Sequence, residues 1–443
     1  MPFRLRGWID SPIPNYESAF ELDWRIGLAP RDLMMPDKNF FANAALVLAS
    51  TFLSVTLLLA AGEVTLRWRY GALPTEWRVP MKTYDERRGW ALQPGRYSYF
   101  DTKAARRVDV SINELGLRNR PLSRESEPGV ERITLLGDSF VFGAPLDEDH
   151  TISARLQARA GESFEVVNAG VPGYGTGQQY RLVEELQARG YRLGRKLVLA
   201  FFTNDIQDNL GLDYSTMGRN RVQPAFDVDA AGNLQQTLSE PPRTPTGQGA
   251  GEWLGSLLFF QILRYQLEVV VVSHPDILRI VEAVGMAPAL PRTPGIVAGW
   301  YGAQWEAHWA VTAAVLEYLV KALRAMPEGP ELFIAFVPSP FQVHESFKLA
   351  VVAGASSDAR YASFLSDPDR PQRVLQLLAR RLDVHFIDLT PALRQAAAHS
   401  VVYFPREGHF NELGCDIAAQ VIFEQAIKER GRGSRASHAE RRN

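Results

Sequence analysis

From residue 131 onward, short apolar runs alternate with stretches in which apolar side chains recur every three or four positions. That alternation predicts strands each followed by a helix, the order of an α/β protein built on a parallel five-stranded sheet. Strands are expected at Ile133–Leu136, Phe164–Asn168, Lys196–Phe202, Glu331–Val337 and Val384–Asp388. Helices are expected over Ile152–Ala160 with Thr151 as N-cap, over Gln178–Arg189 ending at Gly190, and over 306–326, Arg373–Arg381 and Asn411–Lys428. Two stretches interrupt this scheme within an expected domain of residues 131–429. Residues 212–300 carry Pro241-Pro242, Pro245 and several glycines, then an amphipathic segment, Trp253–Val284. That is too long for a connection and predicts a cap. Residues 341–370 form a smaller insertion. Ahead of the domain, turn residues and brief alternating runs such as Val108–Ile112 predict an irregular neck within a 63–130 linker. The Arg-rich tail, 430–443, is expected to be disordered.

One segment departs from the soluble pattern. Asn39 to Gly62 contains no charged residue, and residues 40–62 are long enough for one transmembrane helix, which takes about 20 residues. Its Asn43, Ser50, Thr51, Ser54 and Thr56 can bond to their own helix or to a partner helix. The polar arm of residues 1–39 is too long for the charged start of a signal peptide. Arg25, Arg31 and Lys38 flank one side, and Arg67, Arg69 and Arg78 the other, so charge leaves the orientation open. Trp68, Tyr70 and Trp77 suit a membrane interface.

Composition narrows the classes. A chain of 443 residues can bury a large core, and a net charge of −2 gives no basic field for nucleic acid. The single cysteine, Cys415, excludes a disulfide framework and a cysteine-rich zinc site, and reads as a small buried hydrophobe. Asp147-Glu148-Asp149-His150 lies just before a helix, where acidic residues complement the dipole. Trp300, Trp305 and Trp309 have helical spacing and suggest packing, with Trp300 and Tyr301 left open as a sugar-stacking surface.

Ligands of open parallel sheets collect at the carboxyl ends of the strands. The first three strands end in Gly137-Asp138-Ser139, Asn168-Ala169-Gly170 and Thr203-Asn204-Asp205, residue types that suit acyl transfer. Ser139 is the candidate nucleophile, His409 its base and Glu407 the carboxylate that orients the imidazole. The candidate oxyanion hole joins Ser139, the Gly170 N–H and the Asn204 amide. Val141 stands where an α/β-hydrolase nucleophile elbow needs glycine. The glycines from Gly170 to Gly177 do not fit a dinucleotide fingerprint.

These blocks resemble the SGNH (GDSL-type) hydrolase superfamily. The resemblance rests on G-D-S-F at Gly137–Phe140, N-A-G-V-P-G-Y-G at Asn168–Gly175, F-F-T-N-D at Phe201–Asp205 and E-G-H-F-N-E-L-G at Glu407–Gly414. Gly89-Trp90, Pro94-Gly95 and Asn113-Glu114-Leu115-Gly116-Leu117-Arg118 further resemble its membrane-anchored, extracytoplasmic members. The resemblance implies a three-layer flavodoxin-like α/β/α fold, an ester substrate, no metal or other cofactor, and a catalytic domain outside the cytoplasm, with the bacterial inner membrane as its anchor. Where that family has aspartate two or three residues before the histidine, this chain has Glu407 and Arg406; Asp388 is a substitute acid. The expectation is a serine esterase or O-acyltransferase acting on an acyl group, such as acetyl, of a glycan or lipid, with a possible membrane protein partner. The alternative is a non-catalytic scaffold of the same fold that binds a glycan or a membrane protein.

Overall fold

Strands covered on both faces need apolar side chains pointing both ways, and the strands of this chain have them. In β7 (Lys196–Phe202), Leu197, Leu199 and Phe201 enter one core while Val198, Ala200 and Phe202 enter another. The computed structural model describes residues 38–70, 81–101, 104, 106–211, 224–237, 267, 277, 294–326, 329–347, 359–405 and 407–428. The N-terminal arm, Trp77, most of the Trp253–Val284 segment and the Arg-rich tail lie outside the described residues.

Five parallel strands make the central sheet: β5 (Glu131–Gly137), β6 (Phe164–Gly170), β7, β10 (Glu331–Val337) and β11 (His385–Asp388). Their order is β11-β10-β7-β5-β6. Chain order therefore reverses between β5 and β7, which is the flavodoxin-like arrangement with its crevice at that point. Helices Thr176–Ala188, Trp305–Arg324 and Arg370–Arg381 cover one face through Leu182, Leu186, Leu316, Leu319, Leu375 and Leu378. Helices Ile152–Ala160, Thr390–Ala397 and Glu412–Ile422 cover the other through Ile152, Leu156, Leu393, Ala418 and Ile422. The result is the three-layer architecture expected. Thr151 caps its helix, accepting from the Ala154 N–H. The closing helix differs from expectation, because Phe423–Lys428 continues as a π-helix.

The neck is not irregular. Its short alternating runs pair into two antiparallel hairpins, β1 (Lys82–Asp85) with β2 (Gly89–Leu92) and β3 (Gly95–Asp101) with β4 (Arg106–Ile112). Trp90, Leu92, Val108, Val110, Ile112, Leu115 and Leu117 are buried in the same core as the helices of one face. The alternation is local, but what it packs against lies far along the chain, so the run looked structureless in isolation.

The described part of the insertion includes a third hairpin, β8 (Ala225–Val228) and β9 (Leu234–Thr237). A Cβ on Gly177 would stand 2.4 Å from the Phe226 ring, so only glycine allows this hairpin to seat. The insertion ends in helix Pro294–Tyr301, whose Trp300 is fully buried and donates from Nε1 to the Thr203 carbonyl at 2.7 Å. Trp300 is therefore a packing residue and not a sugar platform. Tyr301 is buried too, with its hydroxyl donating to the Asp367 carbonyl.

The N-terminal helix, Lys38–Tyr70, contains one segment, Phe41–Thr65, long and apolar enough to cross a membrane, with a mean hydropathy of 2.2. Its apolar side chains are exposed on successive faces, as Leu46, Val47, Leu48 and Leu53 show. Ser50 and Thr56 donate to the carbonyls of Val47 and Phe52, so these hydroxyls are satisfied by the helix itself.

Candidate active site

Ser139 begins a helix of only four residues, Ser139–Phe142, at the carboxyl end of β5. A helix that short does not hold itself, because fixing the first turn costs more than its single hydrogen bond returns. Other groups must hold it. Asp138 caps it, its Oδ1 accepting from the Phe140 N–H at 2.8 Å. Asn168, at the neighbouring end of β6, donates from Nδ2 to the Val141 carbonyl at 2.9 Å. Gly170 lies against the same turn so closely that a Cβ would stand 2.3 Å from the Phe142 nitrogen.

His409 arrives from the other end of the chain on a closed loop. The Tyr403–Phe410 bridge and the Phe404 N–H to His409 carbonyl bond (2.8 Å) pinch that loop shut. Two contacts tie its base to the segment that follows β10. The Tyr403 hydroxyl donates to the Pro338 carbonyl at 2.7 Å, and His344 Nε2 accepts the Val402 N–H at 3.2 Å. Burial lowers the His344 pKa, favouring the neutral ring that can accept. Gly408 takes φ +90°, a left-handed turn that folds Glu407 back onto the histidine two residues later.

The three side chains meet. His409 Nε2 lies 2.6 Å from Ser139 Oγ across 270 positions of sequence. Its Nδ1 lies 2.5 Å from Glu407 Oε1, and Glu407 Oε2 accepts the His409 backbone N–H at 2.9 Å. With the Nδ1 proton held by the carboxylate, Nε2 carries the lone pair that faces the serine hydroxyl. Burial alone would lower the His409 pKa, but the charge and hydrogen bond of Glu407 outweigh it, with Asp138 and Asp101 adding, and the net shift is upward. Asp388 is used elsewhere: its Oδ1 accepts the Thr390 N–H at 2.9 Å, at the start of the next helix.

The oxyanion candidates divide. Asn204 follows β7, next to β5 in the sheet, and its amide lies beside the Asp138 carboxyl. That carboxyl is pushed up to about 6 by burial, against the opposing Phe140 N–H. Buried Asp205 is raised as well, by burial first and then by the charges of Asp138 and Asp208. The Gly170 N–H, by contrast, already donates to Asn168 Oδ1 at 3.0 Å. A donor in the ladder-end position is consumed holding the turn, so Gly170 is not the free amide expected. Three residues on, Gly173 takes φ +84° in a turn closed by the Tyr174 N–H to Val171 carbonyl bond. Among the described residues its N–H has no partner. The positive-φ turn was the signal in sequence, since Val171-Pro172-Gly173-Tyr174 puts Pro and Gly where a type II turn wants them.

The grip of the neck on this site has no signature in the sequence. Arg106 of β4 pairs with Glu412, just beyond His409, and with Asp147 at 3.2 Å, just beyond the serine turn. The Tyr99 hydroxyl donates to the Ala144 carbonyl at 2.5 Å. Lys82 donates to the Pro172 carbonyl at 2.9 Å, and the Tyr174 hydroxyl to the Trp90 carbonyl. Asp147, expected to complement a helix dipole, thus belongs to an ion pair instead.

No family model and no curated protein matches the chain. Solved structures do. A carbohydrate acetylesterase family member from Sinorhizobium meliloti is 12% identical, covering 66% of this chain and 95% of its own, at a TM-score of 0.30. A native aryl esterase from M. smegmatis is 14% identical, covering 68% and 99%, at a TM-score of 0.32. A member of the lipolytic G-D-S-L family from Veillonella parvula is 13% identical, covering 66% and 97%, at a TM-score of 0.31. Likeness at this level carries no argument about chemistry, which rests on the residues above.

Proposed function

We propose that this chain is a serine esterase of the SGNH type, cleaving or transferring a small acyl group, such as acetyl, from an ester of a glycan or lipid outside the cytoplasm. The observation that carries the reading is the 2.6 Å approach of His409 Nε2 to Ser139 Oγ, with Glu407 behind the ring, at the point where strand order reverses. Ser139 Oγ attacks the ester carbonyl while its proton passes to His409 Nε2, and the imidazolium is stabilised by Glu407. Charge gathering on the carbonyl oxygen meets the Ser139 and Gly173 N–H groups and the Asn204 amide. Collapse of the tetrahedral intermediate returns the proton from His409 to the leaving alcohol and leaves an acyl-Ser139 ester. Water, or a second alcohol in a transferase, then adds with His409 as base, releasing the acyl group and the free serine. The half-exposed turn at Gly173 supports access for a substrate at this edge.

The test uses the full chain in detergent with a fluorophosphonate probe and p-nitrophenyl acetate. Stoichiometric labelling that disappears in Ser139→Ala, together with loss of acetate release, is the expected result. A folded protein that takes no label would leave a binding scaffold in its place. Separating hydrolysis from transfer requires adding an acceptor alcohol: acylated acceptor formed at the expense of free acetate marks a transferase.

A further inference from the structure

We propose that Asn113–Asn119 is a clip that positions the nucleophile, with Arg118 as its working side chain; this rests on the esterase reading of Ser139. The segment closes on itself. Asn113 Oδ1 accepts the N–H groups of Leu115 and Leu117, both at 3.0 Å, and Asn113 Nδ2 donates to the Arg120 carbonyl at 3.0 Å. Gly116 takes φ +73°, and a Cβ there would stand 2.7 Å from the Leu92 carbonyl oxygen. This closure delivers Arg118, 2% exposed, into the interior.

Arg118 finds no carboxylate at hydrogen-bond distance among the described residues. It donates instead to four carbonyls: Nη1 to Phe142 at 3.0 Å and Gly143 at 2.8 Å, and Nη2 to Leu146 at 2.6 Å and Asp109 at 3.3 Å. Three of these carbonyls lie at or just beyond the end of the four-residue helix headed by Ser139. A buried guanidinium is costly unless hydrogen-bonded; here the orphan carbonyls at that helix end take Nη1 and Nη2, while Nε has no hydrogen-bond partner among the described residues. The planar fork suits the task, since it reaches several acceptors at once where an ammonium would reach fewer. The next residue completes the clip: Asn119 Nδ2 donates to the Asn168 carbonyl at 3.1 Å. Adjacent side chains therefore hold the serine turn and the strand end that carries Gly170, fixing one against the other. Arg118 touches no reacting atom, so its role is positioning.

The experiment compares the full chain with Arg118→Ala, Arg118→Lys and the milder Asn119→Ala. For Arg118→Ala, kcat on p-nitrophenyl acetate is expected to fall about 10- to 100-fold, the cost of misplacing a reacting group, with KM within about twofold. The acid limb of the pH profile stays in place, because the His409–Glu407 pair is untouched, and ethylguanidinium restores part of kcat. Arg118→Lys and Asn119→Ala fall between these limits. Hydrogen exchange gives a readout independent of turnover: amides of 139–146 lose protection while those of β10 keep theirs. Wild-type kcat and wild-type protection of 139–146 in folded Arg118→Ala overturn the clip, as does a loss of protection spread equally over β10. If the unaltered chain takes no fluorophosphonate label, the esterase reading fails separately, and hydrogen exchange still decides the clip.

Discussion

The candidate acid is a glutamate two residues from its histidine, and the loop turns it onto the ring. With Gly408 at φ +90°, both carboxylate oxygens of Glu407 turn toward His409, one on Nδ1 and one on the backbone N–H. The consequence can be read against pH. Activity needs the neutral ring, so turnover should rise with pH through an apparent value above the ordinary 6.5 of histidine, since the His409 shift is upward. Stability runs the other way. A pKa raised on folding contributes stability that is complete below the unfolded value and is lost as pH rises through the folded one. In Glu407→Gln the acid limb should move to lower pH while kcat falls by at least about 10²-fold, because the amide no longer stabilises the imidazolium. An unchanged pH profile would remove Glu407 from the site. Asn204→Ala should lower kcat roughly 10²- to 10³-fold with little change in KM, as loss of one oxyanion donor does. Equal losses in labelling rate and acetate release would locate the defect in acylation.

At the scale of elements, the strands and most helices were legible because their patterns are local. Lys196–Phe202 and Glu331–Val337 are apolar enough to admit no alternative, and Thr151 announces its helix by capping it. The hairpins of the neck were not legible as such, because their apolar faces make sense only against the Thr176–Ala188 side of the sheet. Helix Pro294–Tyr301 is the same case: in sequence Trp300 suits a core or a ligand surface alike, and only the fold makes its indole a buried donor to Thr203. Trp300→Ala should cost about 3–5 kcal/mol, the usual range for deleting a buried aromatic. The urea midpoint should fall at unchanged slope. A shift smaller than about 1 kcal/mol would mean the site closes over the cavity.

At the scale of the molecule, one apolar segment, Phe41–Thr65, and the unit that carries the sheet divide the chain. The full chain should pellet with membranes and resist alkaline carbonate, whereas a chain starting at residue 63 should remain soluble and take the fluorophosphonate label. Failure to extract the shortened chain in soluble form would point to a second membrane contact. Protease added to spheroplasts should degrade the sheet domain while sparing cytoplasmic markers; protection would reverse the orientation proposed here.

Cys415 shows the division of labour in miniature. Its apolar neighbours already marked it as a buried hydrophobe, and burial does push its thiol up, out of reactive range. By itself the sequence determined the sheet, its helices and the apolar span, and it singled out Ser139, His409 and Glu407 as candidates, because periodicity and short blocks are properties of neighbours. Only the tertiary structure decided that Ser139 and His409 meet, that the Gly170 amide is already occupied, and that Arg118 grips the serine turn. Those facts depend on distances between residues tens to hundreds of positions apart, and chain order carries no record of them until the sheet has brought its carboxyl ends together.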